Sequence, residues 1–408
     1  MKKLGLFEGF GVELEYMIVE KDSLRVLPIT DKILQKLAGT ITDEVENGKI
    51  SWSNELVLHV IELKTTTPTS DLENLDTLFL ENIHQINKIA DEFGGILMPT
   101  AMHPLMNPDQ EMKLWPHGYK DIYSKYDEIF SCKGHGWSNL QSIHLNLPFK
   151  DDHEFAQLHA AIRLLLPILP ALAASSPIKE GKLTGYHDTR LEVYRFNQKR
   201  VPEIAGEIIP EIVFSQQEYQ EKILEKTYQA IKPFDPNGIL QDEWLNSRGA
   251  IARFQRNAIE IRVLDIQECP LADISIVYAI ISALKSMIKS KWTSFDNLKN
   301  IDTTSLANVL LQIIKTGEET IISYKPLLKC FGVNESISAK EIWKKIIKEA
   351  TDIPERYKKT LNTILEQGSL STRIQKAITI PDQSNIEKTY RTLCTCLEKN
   401  HLFNIINE

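Results

Sequence analysis

Apolar and polar positions alternate most clearly in a few short stretches of the chain. In residues 10–20 (FGVELEYMIVE), Val12, Leu14 and Tyr16 fall on one face and Glu13 and Glu15 on the other, the period-two pattern of a strand with one buried side. Residues 139–149 (NLQSIHLNLPF) set Gln141, Ile143, Leu145 and Leu147 against Ser142, His144 and Asn146. Residues 56–64 (LVLHVIELK) and the AIEIRVLDI run within 249–267 predict two further strands, and residues 96–100 (ILMPT) a short fifth. Between them the period changes. Residues 71–93 place Leu72, Leu75, Leu78, Phe79, Ile83 and Ile86 at helical spacing and stop at Gly94-Gly95. Residues 152–173 predict a long apolar helix bent near Pro167 and Pro170, and residues 216–232 another helix. Residues 175–210 show no period.

From residue 271 onward the pattern is helical throughout: 271–291, 303–315, 318–330, 338–350, 354–366 and 384–400. No repeat is present. Antiparallel-looking strands separated by helices and followed by a helical tail indicate an α+β fold rather than a regular βαβ series. The expected division is a catalytic domain over 1–292 and a helical C-terminal region over 293–408 packed on it. An oligomerisation or partner surface, carried by Lys340, Lys344, Lys345 and Lys348, is the alternative use of that tail.

Charge adds an asymmetry to this picture. The 408 residues carry a net charge of −8, but 285–408 holds 19 basic and 14 acidic residues, so the tail is +5 and the remainder −13. An acidic body argues against a general phosphate-backbone binder and suits a site that gathers carboxylates around cations. Five scattered cysteines without a CxxC pair do not form a disulfide framework, and Cys394 and Cys396 lie two apart on diverging faces of an apparent helix. No apolar run of signal length opens the chain, and the apolar stretch 160–178 is broken by Arg163, Pro167 and Pro170. The expectation is a reducing cytoplasm.

Four strand segments place charged or metal-capable groups on their polar face. Glu13 and Glu15 share a face roughly 6.6–7 Å apart along the strand, a spacing that lets two carboxylates reach neighbouring cations. Glu55 and Glu62 lie seven apart, and Glu62 interrupts an otherwise apolar run. His144 projects with Ser142 and Asn146, and Glu260 with Arg262. Alone, each pattern also fits a solvent-facing edge, a hydrogen-bonded core histidine or a cross-strand ion pair. If the strands share one sheet, the carboxylates converge. Like charges about 4 Å apart repel by about 4 kcal/mol at an effective dielectric near 20, so such a cluster needs protons or cations. An oxygen-rich set suits Mg²⁺, and the imidazole extends tolerance to Mn²⁺. Arg262 would then neutralise a transferring phosphoryl group.

No GxxxxGK[ST], Rossmann fingerprint, GxSxG or HExxH occurs, so a bound nucleotide would rely on metals rather than a glycine-rich loop. Arg190, Arg195 and Arg200, spaced five apart beside Tyr186, Tyr194 and Asn197, fit either a solvated loop or a clamp for an amino acid's α-carboxylate. Arg248, Arg253 and Arg256 fit either ATP phosphates or local acids. His103, His117 and His135 lie in loops, and Gly134 and Gly136 suggest a mobile flap.

GVELEY, the glutamate pair in NELVLHVIELKT, QSIHLNLPF, LPALAASSPIKEGKLTGYHDTR and RNAIEIRVLD, in that order, resemble the glutamate–cysteine ligase family, in its carboxylate–amine ligase branch. The resemblance spans roughly residues 10–285. It implies a glutamine-synthetase-like fold: a curved, mainly antiparallel sheet with helices on its outer face. It implies an enzyme that uses ATP to join glutamate's γ-carboxyl to cysteine or another amine through an acyl phosphate. By position, Glu13, Glu15, Glu55, Glu62, His144 and Glu260 match the family's metal ligands and Arg262 its phosphate-facing arginine, with Glu62 and Arg262 closest to the chemistry. Substrate binding falls to Arg190, Arg195 and Tyr186, and nucleotide binding to Arg253 and Arg256. The partners implied are small molecules, in a possible homo-oligomer, with no nucleic acid and no membrane. The segment after SSP departs from the branch's aromatic-rich run, which leaves the acceptor undetermined. A metal-dependent hydrolase or phosphotransferase on the same fold, or a non-catalytic descendant, are the competing readings.

Overall fold

The computed structural model describes residues 3–404. Ten strands form the sheets of the body: β1 (Gly11–Glu20), β2 (Glu44–Asn47), β3 (Ile50–Asn54), β4 (Val60–Thr65), β5 (Gly95–Met98), β6 (Ser142–Pro148), the small hairpin β7 (Ile178–Lys179) and β8 (Lys182–Leu183), β9 (Ala250–Arg253) and β10 (Ala258–Asp265). The main sheet has the order β2-β3-β4-β1-β6-β10-β9, with β5 also pairing β1, and every pairing is antiparallel. The strands read from alternation therefore share one sheet. The predicted α+β class and the helix-backed antiparallel architecture hold.

One face of the sheet is the core. Val12, Leu14 and Tyr16 of β1, Ile61 and Leu63 of β4, and Ile143 and Leu145 of β6 are buried there. Helices Asp152–Leu165 and Pro270–Ile288 belong to the same buried cluster. Pro270–Ile288 is apolar enough to cross a membrane by length and composition alone, with mean hydropathy 1.7, but it is 72% buried inside the fold. Its largely apolar surface is that of a core helix, most of it covered by the fold.

Helices after Trp292 pack on the body: Trp343, Leu361 and Ile364 are buried in the cluster that holds Val12 and Leu14 of β1, whereas Leu370–Ala377 and Gln383–Lys399 bury mainly in a second cluster with Met17 and Val19 of β1 and Met98 of β5. Polar ties reinforce the packing. Trp343 Nε1 donates to Ile168 O (2.8 Å), and Asp76 accepts from Tyr357 Oη and Asn400 Nδ2 (2.9 Å each).

The structure corrects several boundaries. The strand expected over 56–64 begins only at Val60, because the chain first turns to form a bridge between Val57 and Leu114. The helix expected over 318–330 is instead a 3₁₀ turn (Gly317–Glu319), a strand (Ile321–Ile322) and a helix (Lys325–Cys330). Gly317, at φ +61°, ends the preceding helix, and Pro326 sits in the first turn of the next, where its missing N–H costs nothing. The β2–β3 hairpin around Gly48 and the helices Thr189–Tyr194, Phe295–Lys299 and Leu370–Ala377 lack an apolar period long enough to read from sequence.

Candidate active site

Antiparallel register brings the polar faces of β3, β4, β1, β6 and β10 into cross-strand rows. Glu15 stands opposite Glu62, which stands opposite Ser53. Glu13 stands between Lys64 and His144, and Glu260 opposite Asn146. At β10 the register slips: Ile261 pairs with Leu145 and Leu264 with Ile143, so Arg262 and Val263 together oppose His144. This bulge re-aims Arg262, whose backbone N–H donates to Gly249 O (2.9 Å). Glu55 lies just past β3, where the turn into β4 carries it to the same face.

Two groups of potential ligand atoms, each within 4.8 Å of one another, result: Glu13, Glu62 and His144, and Glu15, Glu55 and Glu62. Glu62 belongs to both. Glu260 stands at the edge of this centre, 4.0 Å from His144 Nδ1, between Arg253 (3.4 Å) and Arg262 (3.0 Å). The surrounding groups are fixed. Ser53 Oγ donates to Glu62 (2.6 Å), Asn146 Nδ2 to Glu13 (3.0 Å), and Ser142 N and Oγ to Glu15 (2.7 and 2.9 Å). His144 Nδ1 lies 2.9 Å from Glu13.

The electrostatics register the crowding. Burial, then repulsion from Glu13, pushes Glu62 up to about 7 despite Lys64 at 3.1 Å. Burial, then Glu15 and Glu62, raises Glu55 well above the carboxylate range. Burial disfavours charge on His144, but the hydrogen bond it donates to Glu13 and the charges of Glu15, Glu13 and Glu260 win, lifting it to about 9. Glu13, despite burial, is held low by that same histidine. Buried like charges set directly across a ladder are unfavourable. Four carboxylates and one imidazole, with oxygen dominant, form a donor set for a hard divalent cation, and the shared Glu62 suits two of them; Glu260 falls outside both groups, paired with Arg253 and Arg262.

The face opens into a cavity of about 350 Å³. Glu15, Glu55, Ser142, His144, Arg190 and Arg262 line it beside an aromatic wall. Of the residues expected to bind substrate, Arg190 is in the lining, with its Nε committed to buried Asp265 and its terminal nitrogens only 3.4 Å from Arg262 O. Arg195 and Tyr186 are not. Arg195 pairs with Glu192 and stacks on Phe196, and Tyr186 packs against the core, so the clamp expected from their spacing does not assemble. Arg253 adjoins Glu260, whereas Arg256 is exposed in the β9–β10 turn. Arg248 is occupied by Glu211, His103 by Leu24 O, His117 by Asp31 and His135 by Glu180. All five cysteines are free and buried.

Sequence reasoning missed Gln198, Ser247 and the rings of Tyr123, Tyr126, Trp137 and Trp244, which line the cavity. The run of aromatics over 115–137 is the trace of Tyr123, Tyr126 and Trp137 in the sequence, but nothing local distinguishes it from core.

The model of glutamate–cysteine ligase family 2 matches residues 9–391, and the chain belongs to that family. An uncharacterised protein of Archaeoglobus fulgidus is 35% identical over 96% of this chain and 99% of its own length. A protein of Nocardioides sp., provisionally named glutamate–cysteine ligase 2-1, is 25% identical over 45% of this chain and 47% of its own, so the matched stretch spans about half of that relative. Among solved structures, the glutamate–cysteine ligase of Francisella tularensis in complex with AMP superposes with a TM-score of 0.59 at 14% identity, covering 97% of this chain and 90% of that one. The likeness extends over the whole fold.

Proposed function

We propose that this member of the ligase family joins glutamate to an amine with consumption of ATP. The observation that carries the reading is the pair of ligand groups hinged on Glu62, whose Glu15, Glu55 and His144 line a cavity together with Arg262. Glu13, Glu15, Glu55, Glu62, His144 and Glu260 would hold Mg²⁺, or Mn²⁺, which when bound neutralises phosphate charge and holds the reacting carboxylate beside it.

The chain's own groups then have defined tasks. The donor's γ-carboxylate oxygen attacks the γ-phosphorus of ATP, ADP leaves, and the amine displaces phosphate from the resulting acyl phosphate with loss of a proton. Arg262 is fixed through Nε by Glu260 and turns its remaining donors to the charge carried by the transferring phosphoryl group. Arg253, on the far side of Glu260, extends positive charge toward the nucleotide. The terminal nitrogens of Arg190 are placed for the donor's spare carboxylate. The aromatic wall excludes water, which would otherwise hydrolyse the activated acyl group. Five unpaired cysteines are compatible with a reducing cytoplasm.

The test is ADP release from ATP, Mg²⁺ and glutamate, screened against a panel of amines. Stimulation that requires both acid and amine supports a ligase. Product formed without ATP would indicate a hydrolase, and no turnover a non-catalytic descendant.

A further inference from the structure

We infer that the amine acceptor is a cationic amine with an aromatic or similarly bulky apolar body and no carboxylate of its own. The inference rests on the ligase reading above and specifies its second substrate.

The wall of the cavity is built from Tyr119, Tyr123, Tyr126, Trp137, Tyr194 and Trp244. It is a preformed surface. Tyr126 is its hub, with ring centroids 5.3 Å from Trp137 and 5.9 Å from Trp244, and Tyr194 Oη is anchored on Ser247 O (3.0 Å). Such faces favour an apolar ring by offset or edge contact and attract an ammonium through their quadrupoles.

Positive charge is scarce. Among the described lining residues, the cationic side chains besides His144, which Glu13 holds, are Arg190 and Arg262. Both are already paired, to Asp265 and Glu260, and their remaining donors serve the spare carboxylate of glutamate and the phosphoryl group. An α-amino acid acceptor such as cysteine would bring another carboxylate to an aromatic wall that presents no unpaired cation to receive it, an expensive burial. A further observation points to a donor on the ligand. Gln198 is 1% exposed; its Nε2 donates to Ser247 Oγ (3.0 Å), but its Oε1 has no partner. An N–H completes that oxygen and a carboxylate cannot.

The test uses the full chain with Mg²⁺, ATP and glutamate and compares 2-phenylethylamine with cysteine and the other amino acids. We expect kcat/KM for phenylethylamine at least about tenfold above that for cysteine, the scale of one well-placed aromatic contact. Titration of phenylethylamine should also quench the fluorescence of Trp137 and Trp244. Tyr123→Ala should raise the KM for the amine about tenfold, with rescue by Tyr123→Phe. Tyr119→Ala, at a half-exposed position whose loss spares the core, should raise it in the same direction. If an α-amino acid stimulates ADP release and phenylethylamine does not, this inference is overturned while the ligase reading stands. If the tyrosine variants weaken Mg²⁺–ATP binding instead, the wall holds the adenine and the inference also falls. Absence of release with every amine removes the ligase reading, and this inference with it.

Discussion

Replacing Glu62 with glutamine separates the cost of the acidic cluster from its use. Glu62 is 7% exposed, faces Glu15 across the ladder and titrates near 7 instead of 4.5. The raised value means that the folded, metal-free protein holds a proton the unfolded chain has released. Stability therefore falls as pH rises from about 4.5 to about 7, and the full penalty is present above that. A shift of this size corresponds to about 3 kcal/mol. The amide removes the penalty but weakens the contacts with Ser53 and Lys64, worth about 1–2 kcal/mol together. Lys64 keeps Glu44 at 2.9 Å. The net expectation is that metal-free Glu62→Gln is more stable than metal-free wild type by about 1–2 kcal/mol at pH 8, with the advantage gone by pH 5. Turnover should be lost, since both ligand groups contain this residue. Urea denaturation in EDTA at the two pH values measures the difference. A variant less stable than wild type at pH 8, or an advantage independent of pH, would refute the reasoning.

His144 carries the opposite charge but the same pH sign. Its raised value contributes stability that is complete below about 6.5 and disappears as pH passes about 9, so the metal-free melting temperature should fall over that window, and fall less in His144→Gln. Arg190→Ala should do more than raise a KM: Asp265 is fully buried, and losing its partner should cost about 3–5 kcal/mol by denaturant unfolding, with a loss under about 1 contradicting this. Trp343→Phe strips the Ile168 carbonyl of its donor and should cost about 1–3 kcal/mol in a single cooperative transition, whereas separate melting of the tail would show that the core is not shared. Saturating Mg²⁺–ATP should raise the melting temperature more than ATP in EDTA, by about 2.7 kcal/mol of stability at a hundredfold excess over Kd, and equal shifts would argue against a metal-held nucleotide.

Much of this protein is determined locally and can be read without its fold. Alternation in β1, β6 and β10 sets which side chains face the core, and so puts Glu13, Glu15, His144, Glu260 and Arg262 on the polar face whatever the pairing of the strands. Glu62 stood out because a carboxylate interrupts an apolar run. Those signals persist because a strand's period of two is a property of the backbone itself. The longer helices of the tail, such as Thr303–Thr316, Ala339–Glu349 and Gln383–Lys399, are equally visible, since each buries one long stripe. Other features depend on which residues meet across the chain. The bulge that sets Arg262 and Val263 against His144 exists only in the register of two strands more than a hundred residues apart. Asp265 claims Arg190, and Glu192 claims Arg195, although equal spacing made the arginines look alike. The rings of the cavity wall come from four separate segments, and in each an aromatic near a turn looks like ordinary core. What makes them a wall is their convergence on one carboxylate-lined space, and convergence is settled by packing between distant segments, which no local period encodes.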